Sequence, residues 1–153
     1  MAMVRGKLEF QNVVGMRARC TYGEWQESAM ELRAFLIQND IYITGPVLIK
    51  WDNVDEETKQ ADVTIYLPTY QKLNMENNDM FFFCETLLIK DGLKIRHPDL
   101  DNEIQGTELL LETVAEQSNI TLQKPYIYIY LPVFQEYVID IYAPISEEEG
   151  KNE

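Results

Sequence analysis

The chain has 153 residues, 46% hydrophobic and 25% charged, enough for one domain with its own core. Its 26 acidic and 13 basic side chains give a net charge of −13, so neither nucleic acid nor an anionic membrane surface is expected as a partner. No apolar run approaches the roughly 18 residues of a membrane span, MAMVRGKLEF lacks a signal-peptide core, and Cys20 and Cys84 form no CxxC pair, so a cytoplasmic protein with reduced thiols is expected.

In chain order, LEFQNVVGMRARCTY predicts a strand, rich in β-branched residues toward its centre. GEWQESAMELRAFLIQND follows with Trp25, Ala29, Leu32 and Leu36 at helical spacing, while Glu24, Glu27, Glu31 and Arg33 fall mostly off that stripe. An amphipathic helix ended by Asn39 and Asp40 is expected. YITGPVLIKW and ADVTIYLPTY predict two strands joined by the acidic loop DNVDEETKQ. DMFFFCETLLI predicts a further strand, turning as a hairpin at Asp91-Gly92 into LKIRH. RHPDLD reads as a loop into a second helix, about residues 100–117, with Asp99 or Asp101 as its cap. Ile104, Leu111, Val114 and Ser118 mark one stripe of that helix, with Leu110 beside it. KPYIYIYLP and EYVIDIYAPI supply the last strands, and the polar tail at 146–153 is expected to be disordered.

The order β-α-β-β thus occurs twice, over about residues 8–70 and 79–145. Pro46 and Pro68 bracket the same step as Pro125 and Pro144, TIYLP echoes DIYAP, and Cys20 and Cys84 fall at like places, which marks an internal duplication. Each helix covers one sheet face only. Two such units therefore predict a single α+β domain over residues 1–145, with one curved antiparallel sheet, two helices on one face and a central cleft on the other.

Tyr126, Tyr128 and Tyr130 alternate with Ile127, Ile129 and Leu131, so the three phenols share a strand face. That face either lines the cleft, offering stacking surfaces and hydroxyls, or turns toward the helices. Asp140 points away from Ile139 and Ile141, as a lone acid for a cation or as a carboxylate bonded to a tyrosine hydroxyl or strand amide. His97 has no companion at metal-ligand spacing, and DNVDEETKQAD lacks the glycine and spacing of a calcium loop. No nucleophile elbow, HExxH or nucleotide-binding fingerprint is present. No metal, cofactor or enzymatic activity is expected, and both cysteines are read as buried, inert thiols.

The succession of helix, GPVLIKWDNVDEETKQADVTIYLP, second helix, KPYIYIYLP and EYVIDIYAPI resembles the GyrI-like fold, which includes effector-binding domains of bacterial multidrug-responsive regulators. Gly45, Pro46, Trp51, Asp52, Asn53, Asp55, Glu56 and Pro68 match its first half; Pro125, Tyr130, Asp140, Tyr142 and Pro144 match its second. The resemblance spans about residues 8–145 and looks most like stand-alone GyrI-like proteins of Firmicutes. It implies a cleft for amphipathic or cationic aromatic ligands, with position 128 turned inward. The glutamate that drug-binding relatives carry deep in the cleft is Tyr128 here, while a second acidic position is kept as Asp140. The counter-ion and hydrolytic roles of that glutamate therefore do not carry over. No DNA-binding segment precedes the domain, so a one-component regulator is not expected. The expectation is a non-enzymatic binding protein for a small amphipathic ligand, with Tyr128 and Asp140 as floor and Tyr66, Tyr126, Tyr130 and Trp51 as walls. The alternative is a protein-interaction module whose concave sheet takes a basic partner or a second copy of the chain.

Overall fold

The computed structural model describes residues 3–97, 103–133 and 136–146; the caps expected at Asp99 or Asp101 and the tail beyond Ser146 lie outside them. The elements are β1 (Met3–Thr21), α1 (Trp25–Gln38), β2 (Val47–Asp52), β3 (Gln60–Pro68), β4 (Phe81–His97), α2 (Ile104–Gln117), β5 (Ile127–Val133) and β6 (Glu136–Pro144). The chain is α+β, the β-α-β-β order occurs twice, and every described strand register is antiparallel. No helix among the described residues is long and apolar enough to cross a membrane.

The chain divides into two compact units, Glu9–Leu87 on one hand and, on the other, the residues up to Leu8 together with those from Leu88. The first holds strands in the order β1-β3-β2 with α1; the second holds β4-β6-β5 with α2. The boundaries cut β1 and β4, so the opening residues fold with the second half of the sequence. There the Arg5 guanidinium grips Asp91 with bonds of 3.1 and 2.7 Å, and Gly6 O accepts the Tyr142 hydroxyl at 2.7 Å.

Strand register makes the duplication explicit. Arg17 faces Thr64, and Thr64 faces Lys50; in the other unit Arg96 faces Asp140, and Asp140 faces Ile129. TIYLP and DIYAP hold the same place, with Tyr66 matching Tyr142. On this register Cys84 matches Arg5 rather than Cys20, so the cysteines are not a repeated pair. Both are free, Cys20 buried and Cys84 half-buried.

The helices end alike for a stereochemical reason. Asp40 and Asn119, one residue past each C-cap, both take φ 57°. This left-handed turn, tolerated by short polar side chains, brings the next amide back onto the helix. Ile41 N donates to Leu36 O at 2.9 Å, and Ile120 N to Ala115 O at 2.8 Å. Along α1 the expected stripe holds, with Leu32 and Leu36 fully buried. Along α2 it is shifted: Thr107, Leu111 and Ala115 are buried, while Leu110 and Ser118 are exposed. The cause is polar. Thr107 Oγ1 lies 2.7 Å from Nδ1 of buried His97 at the end of β4, and Glu108 accepts from Tyr128, so hydrophilic residues occupy the inward stripe.

The hairpin expected at Asp91-Gly92 does not form, and β4 runs unbroken from Phe81 to His97. Among the described residues no glycine has positive φ, so Gly92 serves no turn. It serves a close approach instead: a Cβ there would run into the ring and hydroxyl of Tyr142, which is only 2% exposed.

Candidate ligand-binding face

The three ladder tyrosines lie on the α2 side of β5. Tyr126 belongs to the core of this unit with Leu93, Ile95, Leu111, Ala115, Ile139 and Ile141, and Tyr128 and Tyr130 pack against it. Glu112 and Glu108, one helical turn apart on α2, accept the hydroxyls of Tyr126 and Tyr128 at 2.9 and 3.0 Å. Burial is what raises the Tyr126 phenol pKa above its usual range, with help from the Glu112 bond and charge. Burial alone pushes Tyr130 up to about 12. Glu108 is raised by burial and by the charge of Glu112, against the lowering effect of its Tyr128 bond. Lys124 Nζ sits 5.7 Å from the Tyr126 ring centroid, in a groove at the end of α2 that Glu112 and Tyr126 also line. The inward orientation that the resemblance implied for position 128 is therefore replaced by one facing α2, where two carboxylates make burial of phenols cheap.

Asp140 stands on the opposite face of that sheet and is not solitary. Its carboxylate accepts Arg96 Nε at 2.8 Å and Arg96 Nη2 at 3.1 Å. The acid is buried, while the guanidinium side chain is 57% exposed. Both oxygens are spoken for by a cross-strand neighbour, and the bond in turn holds the guanidinium pKa above its ordinary value.

In the Glu9–Leu87 unit the expected wall residues part company. Trp51 lies on the α1 side, its ring 4.5 Å from that of Tyr22, as does Phe81, stacked 5.0 Å from Phe35 of α1. Tyr66 lies on the other side and meets Phe82 edge-on at 5.9 Å. There the Arg17 guanidinium carbon is 4.1 Å from the Phe82 ring centroid, and Lys50 Nζ is 5.9 Å from that of Tyr66. Gly15, opposite Tyr66, makes room for the Phe82 ring, since a Cβ there would collide with it. Among the described residues no carboxylate lies within ion-pair reach of Arg17 or Lys50. The acids nearby are engaged locally: Asp55, in the loop after β2, accepts the amides of Glu57 and Thr58, and Asp62 of β3 holds Arg19 and Asn53.

Of the six residues expected to share one site, Tyr126, Tyr128 and Tyr130 come together beneath α2, Asp140 lies on the reverse of their sheet, and Tyr66 and Trp51 occupy opposite faces of the other unit. Arg17, Lys50, Phe82 and Arg96 were not singled out from the sequence. Their signal was the register of TIYLP against the first strand, visible once the strands are aligned.

The architecture is the GyrI-like fold. The EcmrR C-terminal domain superposes with a TM-score of 0.69 at 10% identity, over 95% of this chain and 99% of that one. A conserved protein from Listeria innocua gives 0.71 at 11% identity over 94% and 92%. A protein described as a hydrolase, also from Listeria innocua, gives 0.68 at 12% identity over 94% and 91%. At these identities the likeness is one of fold alone. No protein-family model and no curated sequence matches the chain.

Proposed function

We propose that the chain is a non-enzymatic binding domain for a small amphipathic molecule, taken on the sheet face that carries Tyr66 and Phe82. The carrying observation is the pairing of two aromatic rings with two cations that no described carboxylate neutralises. A ligand with an apolar body and a polar end would supply the missing half of both interactions. Hydrolysis finds less support: the acids nearest to tyrosine hydroxyls, Glu108 and Glu112, are engaged by Tyr128 and Tyr126, and the raised pKa of Tyr126 keeps its phenol protonated and weakly acidic.

The test is a thermal-shift screen against neutral, anionic and cationic aromatic amphipaths, on the wild type, Phe82→Leu and, as a control on the α1 side, Trp51→Phe. Saturation at 100 times the dissociation constant should stabilise by about 2.7 kcal/mol. The shift should be lost in Phe82→Leu and kept in Trp51→Phe. A midpoint that no ligand class moves would overturn the reading.

One feature favours a protein-interaction module as the second reading. Met30 and Ile37, two turns apart on α1, are 70% and 62% exposed, and Tyr42 and Tyr70, joined by a backbone bond of 2.9 Å, are exposed too. Light scattering across a hundredfold concentration range checks self-association. A mass that rises in the wild type and stays monomeric in Ile37→Glu supports it; a monomer throughout excludes it.

A further inference from the structure

We infer that the molecule taken on this face is an anion, an aromatic carboxylate whose ring lies against Phe82 and whose carboxylate is held by Arg17 and Lys50. This rests on the binding reading above and names its ligand class. The duplication supplies an internal comparison. In the unit that contains β6, the strand-to-strand row is Arg96–Asp140–Ile129, in which the acid grips the guanidinium through two bonds and the third place is apolar. The equivalent row in the Glu9–Leu87 unit is Arg17–Thr64–Lys50. The acid has become a hydroxyl residue and the apolar position a lysine, so a neutral row has become a doubly cationic one. This occurs in a chain with 26 acids and 13 bases. A solubilising surface charge would add to the prevailing sign; these two oppose it locally.

The geometry suits a carboxylate. Neighbouring strands are about 4.8 Å apart, which sets the Arg17 and Lys50 backbones about 10 Å from each other, with Thr64 between them. An anion above Thr64 is within reach of both long side chains. The Arg17 guanidinium carbon lies 4.1 Å from the Phe82 ring centroid, so the cation is seated over the ring, and its N–H groups not turned to the ring remain as donors. Those donors match the two oxygens of a carboxylate. The same Phe82 ring, seated over Gly15 and beside Tyr66, gives a ligand ring an aromatic surface next to its charge. A cationic ligand would meet two like charges here.

The experiment compares one ring with three charges: naphthalene-2-carboxylate, 2-naphthylmethanol and 2-naphthylmethylammonium, titrated calorimetrically into the whole protein. The carboxylate is expected to bind at least tenfold tighter than the other two and to weaken as salt rises from about 0.05 to 0.5 M. Arg17→Gln and Lys50→Gln should each lower its affinity about tenfold and affect the alcohol much less than the carboxylate. Thr64→Asp copies the Arg96–Asp140 arrangement at the matching place, so it should keep the thermal midpoint while abolishing the preference for the anion. An alcohol or ammonium bound as tightly as the carboxylate, or a carboxylate indifferent to all three variants, overturns the anion and leaves the binding reading standing. Failure of all three probes also overturns it, and the broader screen then decides the binding reading by itself.

Discussion

Gly92→Ala is the sharpest perturbation of the fold. In an ordinary strand the change should help, because alanine loses less backbone entropy on folding, worth about 0.4–1 kcal/mol. Here the added methyl would run into the Tyr142 ring, which is 2% exposed and tethered by its hydroxyl to Gly6 O at 2.7 Å. A ring fixed at both ends cannot step aside, and overpacking of this kind costs about 1–3 kcal/mol. The net expectation is a loss of about 1–2 kcal/mol, or roughly 3–6 °C in midpoint for a chain of this length. Urea unfolding followed by circular dichroism measures it, with Tyr142→Leu and the double variant completing a cycle. With the ring gone, Gly92→Ala should cost nothing or stabilise slightly. An equal cost in both backgrounds would refute the reasoning, because it would place the requirement for glycine in the backbone rather than in the ring.

The helix ends offer a second check: Asn119→Ala should lose about 1 kcal/mol from its left-handed turn, and Asn119→Gly should be near neutral, both read by thermal unfolding. Glu108 has a folded pKa above its ordinary 4.5, so it stabilises less as pH rises through that folded value. Glu108→Gln keeps an acceptor for Tyr128; it should raise the midpoint at pH 7, and the gain should vanish below about pH 4.5. Hydrogen bonds hold Asp62 and Asp91 below their ordinary 3.8, from Asn53 and Arg19 in one case and Arg5 in the other. Stability from such depressed groups is present above that value and lost as pH falls through the folded one, so the midpoint should drop on acidification below about pH 4, and less steeply in Asp91→Asn. Asp140→Ala removes two charge-assisted bonds but leaves Arg96 able to reach water, so the loss in chemical unfolding should be about 1–2 kcal/mol, well short of a fully buried pair.

Periodicity along the chain was sufficient for the element order, the duplicated β-α-β-β plan and the inward stripe of α1, because each depends on neighbours within a few residues. It placed the tyrosines on one face and Asp140 against the grain of its isoleucines, since strand alternation is local. Which way each face turned was decided elsewhere. Glu108 and Glu112 draw the phenols beneath α2, and Arg96 reaches Asp140 from a strand 44 residues away. Gly92 read as a turn because its reason for being glycine, the Tyr142 ring, sits on another strand. Arg17 and Lys50 were unremarkable in sequence and became a cation pair only when β3 brought them to either side of Thr64. Local geometry writes alternation and helical spacing into the chain itself. Partners across strands exist only after register is set, and register is a property of the whole sheet.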